Sequence, residues 1–338
     1  MSKSLSIITV TLNTAVDRVL EADNFTVGKH AKARQINRYP AGKGINVSRT
    51  LARLGWMNVA TGYAGEQHAE EYERYLKTVG PGSVKNQLLT VKGATRENIT
   101  IVDPKNNTDT HIRTEGYTIS PHALGRITSK VGLLARPDTI IVFSGSLPTG
   151  MELADFYTLV NVAMSAGSRV ILDVDGQTLR SILHTDTINI DDTPQPNPSS
   201  KICYLVKPNL EELAEMIGVP AILSHDEILK AARLLATRVE WVVVTLGGDG
   251  AIMIDPEGNA WQGKIDIPKD QIVNTVGCGD TMVAGLIDGQ LRELPPDQIL
   301  KSALALATTN ATHVGVADYE LAQVEPIEEK VAVTSIDN

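Results

Sequence analysis

The sequence predicts an α/β fold, a three-layer αβα sandwich with a small β-sheet lid. Apolar runs of strand length alternate with stretches of helical periodicity, and each run ends in Gly, Pro, Asp or Ser or close to one of them. This alternation indicates a parallel sheet with helices on both faces. Two polar regions, residues 13–40 and 93–117, interrupt it with short alternating stretches that predict a small antiparallel sheet. We expect one domain over residues 1–338, with the two polar regions as its lid.

The strands and helices are predicted in a regular order. The first strand, Ser6–Leu12, is followed after a polar region by a helix at Ile45–Leu54, which is entered through Gly42-Lys43-Gly44. Ligands of such sheets bind beyond the carboxyl ends of the strands, so we expect the functional residues there. Further strands are predicted at Asn58–Gly62, Thr139–Ser144, Arg169–Asp173, Cys203–Val206 and Trp241–Leu246. Further helices are predicted at Leu153–Ala166, Leu210–Ile217, Asp226–Thr237 and around the apolar run Met282–Ile287.

Two segments do not fit the alternation. Asp186–Ser200 contains an Asp-Asp pair and three prolines, which is typical of an exposed surface loop. The tail from Glu325 onward is polar, and we expect it to fray.

Composition narrows the class of protein. The net charge of −9 argues against nucleic acid or an anionic membrane as a partner, but it leaves anionic metabolites open. Hydrophobic residues make up 42% of the chain, which supports a large core, and no apolar run approaches the ~18 residues of a membrane-spanning helix. Two cysteines in 338 residues indicate a reducing compartment, and the first residues lack the architecture of a signal peptide. We therefore expect a cytoplasmic protein.

The segment from Asn274 to Met282 is the most informative in the chain. Gly277 and Gly279 flank Cys278, and Asp280 follows directly before an apolar helix. Glycines at a helix entrance let backbone N–H groups converge on an anion, whereas an Asp there repels phosphate and makes sense as a base. The segment thus indicates phosphoryl transfer to an alcohol. The alternative is a tight turn in which Asp280 only caps the helix.

A second glycine-rich site precedes the first helix. Gly42 and Gly44 permit close approach of the backbone to a ligand, Lys43 supplies charge, and Asn46 can form two hydrogen bonds. The spacing is not that of a Walker loop, because no Ser or Thr follows Lys43. A tight strand-to-helix turn is the alternative.

Polar residues after the first strand and in the lid suggest a sugar-phosphate site. Asp17, close behind Asn13, could accept hydroxyl groups, and the alternative is an Asx turn with a surface ion pair. Arg96 opens a lid strand and could close on a phosphate with two parallel hydrogen bonds. Lys29 could do the same, and a solvated role is the alternative for both.

Three further motifs follow strands. Ser146 lies in Ser144-Gly145-Ser146-Leu147-Pro148, where the backbone could approach a ligand. After Lys207-Pro208, Asn209 and Glu212 share a helix start, where they either orient a hydrated Mg²⁺ or form a capping box. The glycines of Thr245–Gly250 could cover nucleotide phosphates or form a hairpin turn before Ala251–Ile254.

In this order the motifs resemble the PfkB branch of the ribokinase-like carbohydrate kinases over nearly the whole chain. The resemblance is carried by Thr11-Leu12-Asn13 with Asp17, Gly42–Val47, Thr95-Arg96, Ser144–Pro148, Lys207-Pro208-Asn209 with Glu212, and Thr275–Asp280. Within the family the chain is most similar to members that act on fructose 1-phosphate, and next to those that act on tagatose 6-phosphate. Two departures are Thr14, where many members have Pro, and Cys278, where many have Ala; neither removes a catalytic group.

The resemblance implies an αβα sandwich with a β-sheet lid, dimers formed through the lid, and an ATP- and Mg²⁺-dependent kinase for a phosphorylated ketohexose. Asp280 is then the base, and backbone N–H groups of Gly277, Cys278 and Gly279 stabilise the transferred phosphoryl group. The sugar phosphate contacts Asp17, Lys29, Gly42, Lys43, Asn46, Arg96 and Ser146. The nucleotide contacts Lys207, Asn209, Thr245, Gly247, Gly250, Gly277 and Gly279, and Mg²⁺ reaches Asn209 and Glu212 through water. A tagatose-6-phosphate kinase, or a 6-phosphofructokinase of the same family, is the alternative, and a non-catalytic sugar-phosphate sensor is a more distant one.

Overall fold

The computed structural model describes residues 6–185, 201–219 and 223–336; the predicted loop Asp186–Ser200 lies outside the described residues. The strands are β1 (Ser6–Thr11), β2 (Ala15–Glu21), β3 (Arg34–Ala41), β4 (Asn58–Gly65), β5 (Val84–Val91), β6 (Arg96–Asp103), β7 (Thr108–Arg113), β8 (Thr139–Ser144), β9 (Arg169–Asp173), β10 (Cys203–Val206), β11 (Val239–Thr245), β12 (Ala251–Ile254), β13 (Ala260–Lys264) and β14 (Ala332–Ile336). The helices are α1 (Lys43–Arg53), α2 (Ala69–Lys77), α3 (Pro121–Leu134), α4 (Leu153–Ser165), α5 (Gly176–Leu183), α6 (Leu210–Ile217), α7 (His225–Ala236), α8 (Cys278–Leu291), α9 (Pro296–Ala311) and α10 (Glu325–Glu328).

The large sheet is mixed. Its ten strands follow the order β14-β13-β12-β11-β10-β9-β8-β1-β4-β5. The seven from β11 to β5 are parallel, as predicted, and β12, β13 and β14 add an antiparallel edge. The prediction that the tail frays is wrong, because Ala332–Ile336 pairs in register with Lys264–Ala260 of β13. The backbone hydrogen bonds of this pairing hold a segment whose polar side chains had indicated disorder.

Helices cover both faces of the sheet and form the predicted three layers. Ile127 of α3, Phe156 of α4 and Leu235 of α7 are fully buried on one face. Leu51 of α1 and Leu286 of α8 are fully buried on the other. Because only 4% of the residues are aromatic, aliphatic side chains supply most of this core. Within the described residues, no helix is both long and apolar enough to cross a membrane.

The lid is a separate four-stranded sheet in the order β3-β2-β6-β7. It consists of two antiparallel ribbons, β2–β3 and β6–β7, joined by a parallel pairing of β2 with β6. The lid is therefore mixed, not wholly antiparallel as predicted. The reason lies in the large sheet: β1 and β5 are parallel, and β2 and β6 follow them within a few residues, so both leave the sheet in the same direction.

Candidate active site

Asp280 lies in the first turn of α8 and is almost fully buried, with 5% of its surface exposed. Its Oδ2 accepts a hydrogen bond of 2.7 Å from Nδ2 of Asn46 on α1. Burial raises the pKa of Asp280 to about 6, and the nearby Asp173 carboxylate adds to this effect, while Lys43, Asn46 and Lys207 oppose it. A carboxylate that titrates close to neutrality is well matched to accepting a proton from a hydroxyl group.

Asp173 ends β9 and is the centre of a buried charged cluster. Its Oδ2 accepts a hydrogen bond of 2.8 Å from the Ser144 hydroxyl group. Nζ of Lys207 lies 3.1 Å from its Oδ1, and Nζ of Lys43 lies 3.7 Å from its Oδ2. Burial alone would raise the pKa of Asp173, but the two ammonium groups and the Ser144 hydroxyl group hold it at about 2. Asp173 is thus ionised throughout the neutral range and makes ionisation of Asp280 harder.

Asn209 and Glu212 form the predicted capping box at the start of α6. Oδ1 of Asn209 accepts a hydrogen bond from the Glu212 N–H at 2.8 Å, and Oε2 of Glu212 accepts one from the Asn209 N–H at 2.9 Å. Oε1 of Glu212 lies 3.9 Å from Nζ of Lys43. The capping interpretation is therefore confirmed, and it leaves one carboxylate oxygen directed at the charged cluster.

The glycines before and within α8 shape its N-terminus. Gly277 has a φ of 78°, and a Cβ there would lie 2.5 Å from a methyl carbon of Val316, so a larger residue is excluded. A Cβ on Gly279 would lie 3.2 Å from Nζ of Lys207, which therefore stands directly against the first turn. The first N–H groups of a helix lack intrahelical partners, although that of Cys278 reaches the Thr275 carbonyl at 3.3 Å. With the helix dipole and Lys207, this terminus favours an anion.

Cys278 has a structural environment that does not indicate a nucleophile. Its Sγ accepts a long hydrogen bond of 3.6 Å from Nδ2 of Asn310. Burial raises the pKa of the thiol, so the thiol form predominates at neutral pH.

A cavity of about 690 Å³ begins at this helix terminus. Its lining includes the helix-terminus residues Cys278 and Gly279 and the polar residues Asn209, Thr245, Asp249, Asp266, Thr275 and Thr308. Apolar side chains contribute most of the remaining lining, among them Ile265, Ile267, Pro268, Ile272, Leu304, Ala307 and Ala311. A cavity that combines a helix terminus favourable to anions with apolar side chains suits a nucleotide, whose phosphates and base need these two environments.

Gly247 and Gly250 line this cavity and also form the predicted hairpin. A short 3₁₀ turn at Gly247–Asp249 connects β11 with the antiparallel β12, and Leu246 N–H donates to the Gly250 carbonyl at 2.8 Å. Gly250 has a φ of 91°, and a Cβ there would lie 2.0 Å from the Gly263 carbonyl oxygen. The turn interpretation is confirmed, and it places the glycines at the cavity wall as well.

The lid presents a chain of polar contacts across the parallel pairing of its two ribbons. Oδ1 of Asp17 accepts a hydrogen bond of 2.7 Å from Nδ2 of Asn98, and Oδ1 of Asn98 accepts one of 3.3 Å from Arg96. Within the described residues, Nε of Arg96 is buried without a hydrogen-bond partner. Burial lowers the pKa of Arg96, and the charge of Arg113 adds to this effect. An anion bound by Arg96 would relieve both costs.

The turns after β1 and β8 meet at the lid base. Nδ2 of Asn13 donates to Oγ of Ser146 at 3.1 Å and to the Leu147 carbonyl at 3.2 Å. Gly42, the N-cap of α1, has a φ of 141°, and a Cβ there would lie 2.8 Å from a methyl carbon of Thr11. The predicted strand-to-helix turn at Gly42 is thus confirmed, and the sequence motifs after β1, β3 and β8 converge.

Not every predicted residue joins this arrangement, and two additional residues do. Lys29 is exposed in the connection between β2 and β3. Lys43, predicted to hold the substrate phosphate, faces Asp173 and Glu212 instead. Asp173 was not predicted as a site residue, although a carboxylate directly after a buried strand is a usable signal. Arg113 was also missed; it pairs in register with Asn98 and acts electrostatically on both Arg96 and Asp17.

A buried carboxylate beside a helix terminus that favours an anion is an arrangement that suits phosphoryl transfer to an alcohol, and it is consistent with a phosphotransferase. The model of the pfkB family carbohydrate kinases matches residues 7–322. The chain therefore belongs to this family and is a carbohydrate kinase.

Individual relatives agree with this assignment. The chain is 32% identical to a 1-phosphofructokinase of Haemophilus influenzae over 98% of this chain and 99% of the relative. It is 31% identical to a tagatose-6-phosphate kinase of Staphylococcus epidermidis over 90% of this chain and 92% of the relative. Its fold is similar to that of phosphofructokinase-2 from Escherichia coli, solved in complex with substrates and products, with a TM-score of 0.83, 24% identity and coverage of 96% of this chain and 99% of that one.

Proposed function

We propose that this protein uses ATP to phosphorylate fructose 1-phosphate to fructose 1,6-bisphosphate, with Asp280 as the general base. The observation that carries the proposal is the position of Asp280. It is a buried carboxylate with a pKa of about 6, fixed by Asn46 and located at the helix terminus where the nucleotide cavity begins. A sugar hydroxyl group that reaches Asp280 would lose its proton as it attacks the phosphoryl group at the same helix terminus.

The helix terminus and the charged cluster support transfer of a γ-phosphoryl group. Backbone N–H groups of Gly277, Cys278 and Gly279, together with Lys207, would stabilise the charge that develops on the transferred group. The free carboxylate oxygen of Glu212, next to Asn209, suits a hydrated Mg²⁺. In the parts of the chain that the structure describes, no group of three or more His, Cys, Asp or Glu residues could hold a metal ion. This donor set fits a cation held largely by water and nucleotide phosphates, where bound Mg²⁺ would offset phosphate charge.

The acceptor pocket supports a sugar that already carries a phosphate. Oδ1 of Asn46 is buried and has no hydrogen-bond partner among the described residues, so it can accept from a sugar hydroxyl group. Asp17 offers a second acceptor from the lid. The buried Nε of Arg96, with Arg113 close by, would bind the phosphate. A neutral sugar would leave the buried Nε of Arg96 uncompensated, whereas Arg113 is exposed to solvent.

The choice of ketohexose phosphate depends on more than charge, because relatives with two substrate names match almost equally well. Fructose 1-phosphate leaves the C6 hydroxyl group free and a 6-phosphate leaves C1 free, so one pocket could accept either with the ring reversed. Discrimination then depends on ring hydroxyl groups, which Asp17 and Asn46 would contact. A sugar that leaves a buried polar group of the site unpaired has a kcat/KM lower by orders of magnitude, and we expect at least ~10-fold preference for fructose 1-phosphate over tagatose 6-phosphate.

A coupled ADP-release assay across fructose 1-phosphate, fructose 6-phosphate, tagatose 6-phosphate and free fructose tests this proposal. Equal or reversed kcat/KM values would move the assignment to tagatose-6-phosphate or 6-phosphofructokinase activity and retain the base. Turnover of free fructose alone would contradict the phosphate-binding role of the lid. Absence of ADP release with every sugar, together with measurable sugar-phosphate binding, would favour the non-catalytic sensor.

We also propose that two copies associate through the lid in the cytoplasm. Val27 and the lid-strand residues Ile36 and Ile112 are exposed apolar side chains, and β3 and β7 are unpaired edges of the lid sheet within the described residues. Both cysteines are free, which suits a reducing compartment. Light scattering after size exclusion would detect the dimer, and Ile36→Lys should shift it to the monomer.

A further inference from the structure

Two lysines face the same buried carboxylate, Asp173, and they are held differently. Nζ of Lys207 lies 3.1 Å from Oδ1, and its side chain is 5% exposed. Nζ of Lys43 lies 3.7 Å from Oδ2, and its side chain is 41% exposed. Both contacts are ion pairs, since Oδ1 of Asp173 has no hydrogen-bond partner among the described residues, and the Asp173 carboxylate raises the pKa of Lys43 above its ordinary value. Lys207 is the closer and more buried partner of Asp173. Lys43 is the more distant and more exposed one and is therefore freer to leave.

Lys43 has a second carboxylate partner, and this partner belongs to the proposed metal site. Its Nζ lies 3.9 Å from Oε1 of Glu212. Oε2 of the same carboxylate is engaged in the capping box, so Oε1 is the oxygen left for a cation. A divalent cation bound at Oε1 and the ammonium group of Lys43 would occupy the same neighbourhood and repel each other.

The position of Lys43 in the fold gives its ammonium group an alternative place. Lys43 is the first residue of α1, and only Gly42 separates it from β3 of the lid. Gly145 lies beside the Lys43 side chain and has no Cβ. A Cβ added there would lie 3.7 and 4.0 Å from Cβ and Cγ of Lys43, so its absence leaves the stem of Lys43 unconfined on that side. A flexible four-carbon side chain can turn its charge from β9 toward the acceptor pocket while the backbone stays fixed.

We propose that Lys43 is an exchangeable internal cation: it neutralises Asp173 and Glu212 before the nucleotide binds, and it turns to the phosphate of the sugar when a divalent cation binds beside Glu212. The inference rests on the proposed function, because it uses the metal site and the sugar phosphate assigned there. It reconciles the sequence prediction that Lys43 holds the substrate phosphate with its observed contacts to Asp173 and Glu212. It also makes binding of the metal nucleotide favour binding of the sugar phosphate.

Titration of Mn²⁺ into the protein saturated with a non-hydrolysable ATP analogue, followed by electron paramagnetic resonance, tests the competition without any turnover. Lys43→Met removes the competing charge and should bind Mn²⁺ about tenfold more tightly than the wild type, whereas Lys43→Arg should bind it as the wild type does. Lys85→Met, which removes an exposed charge on β5, is the control for net charge and should leave Mn²⁺ binding unchanged. Lys43→Gln serves as a second neutral variant if Lys43→Met does not fold.

The second measurement tests whether binding of the metal nucleotide favours binding of the sugar phosphate. In the wild type, Mg²⁺ with a non-hydrolysable ATP analogue should tighten fructose 1-phosphate binding measured by calorimetry, and Lys43→Met should lose this effect. Unchanged or weaker Mn²⁺ binding by both neutral variants overturns the inference even if the wild type is an active kinase. If the wild type shows neither Mn²⁺ binding nor kinase activity, the proposed function fails and the inference fails with it.

Discussion

Replacing Asp280 with Asn should make the protein more stable and nearly inactive. The carboxylate is 5% exposed, receives one side-chain hydrogen bond of 2.7 Å, and faces the ionised Asp173. Its pKa is about 6 in the folded protein, compared with an ordinary value of 3.8. The folded state therefore binds this proton more tightly than the unfolded chain does. Stability from this group is complete below about pH 3.8 and is lost as the pH rises through 6.

The size of the change in stability follows from the difference between the pKa of Asp280 in the folded protein and its ordinary value. Above pH 6 the ionised Asp280 costs about 3 kcal/mol of folding free energy, and Asn, which cannot ionise, avoids this cost. With an unfolding entropy of about 2.1 cal/mol/K per residue, this is a gain of about 4 °C in Tm for a chain of this length. At pH 5 only about half of the gain should remain, because there the wild-type carboxylate is largely protonated in the folded state.

Calorimetric melting at pH 8 and pH 5, with steady-state kinetics on the same samples, measures both the stability and the activity of the variant. Asp138→Asn, an exposed position, is the matched control and should leave Tm unchanged at either pH. The kcat of Asp280→Asn should fall by ~10²–10⁴-fold, with ATP affinity nearly unchanged. The wild-type kcat/KM should fall below about pH 6, where the base becomes protonated. A lower Tm at pH 8, or a kcat within a few-fold of the wild type, would refute the assignment of Asp280 as a buried base.

Two further substitutions test the lid and the charged cluster. Arg96→Ala should raise the KM for the sugar phosphate by ~10-fold or more and leave the KM for ATP unchanged, because it removes a charge-assisted contact from the lid alone. A change in the KM for ATP instead would show that the sugar-phosphate and nucleotide pockets had been assigned the wrong way round. Asp173→Asn leaves Lys207 buried without its partner and should cost about 3–5 kcal/mol at pH 7. Because the pKa of Asp173 is depressed to about 2, this loss should shrink as the pH falls toward 2, and thermal melts that show the same loss at pH 7 and pH 3 would contradict the ion-pair origin.

The central strands were predictable because their sequences are unambiguous. Thr139–Ser144, Arg169–Asp173 and Cys203–Val206 have the predicted bounds, since each is an apolar, mostly buried run that ends at a polar residue or a turn signal. The antiparallel edge of the large sheet was harder to predict from the sequence. β14 has exposed polar positions and is a strand only because β13 supplies its hydrogen bonds. Such pairing depends on a partner far away in the chain and leaves a weak local pattern.

For the candidate site, too, one part could be predicted from the sequence and another part could not. Residue types at strand ends and helix starts indicated Asp280, Asn46 and Arg96, because their chemistry and position can be judged locally. The partners of these residues could not be judged locally. That Lys43 faces Asp173, or that Arg113 stands across from Asn98, depends on how separate strands and helices align in space. Sequence therefore identified candidate groups better than it identified which groups control one another.

The construction of the lid from two ribbons has a consequence for how such a kinase could change during evolution. Asp17, the proposed reader of hydroxyl groups, lies on the β2–β3 ribbon, and the guanidinium groups proposed to grip phosphate lie on the β6–β7 ribbon. Each ribbon is a local hairpin, and within the described residues the pairing of β2 with β6 is the only strand pairing between them. Because Asp17 is linked to Arg96 through Asn98, a substitution at Asp17 affects the group that binds the phosphate as well as the stereochemistry of the sugar that is accepted. Descendants with new ketohexose preferences therefore need matched changes on both ribbons, but no new catalytic centre.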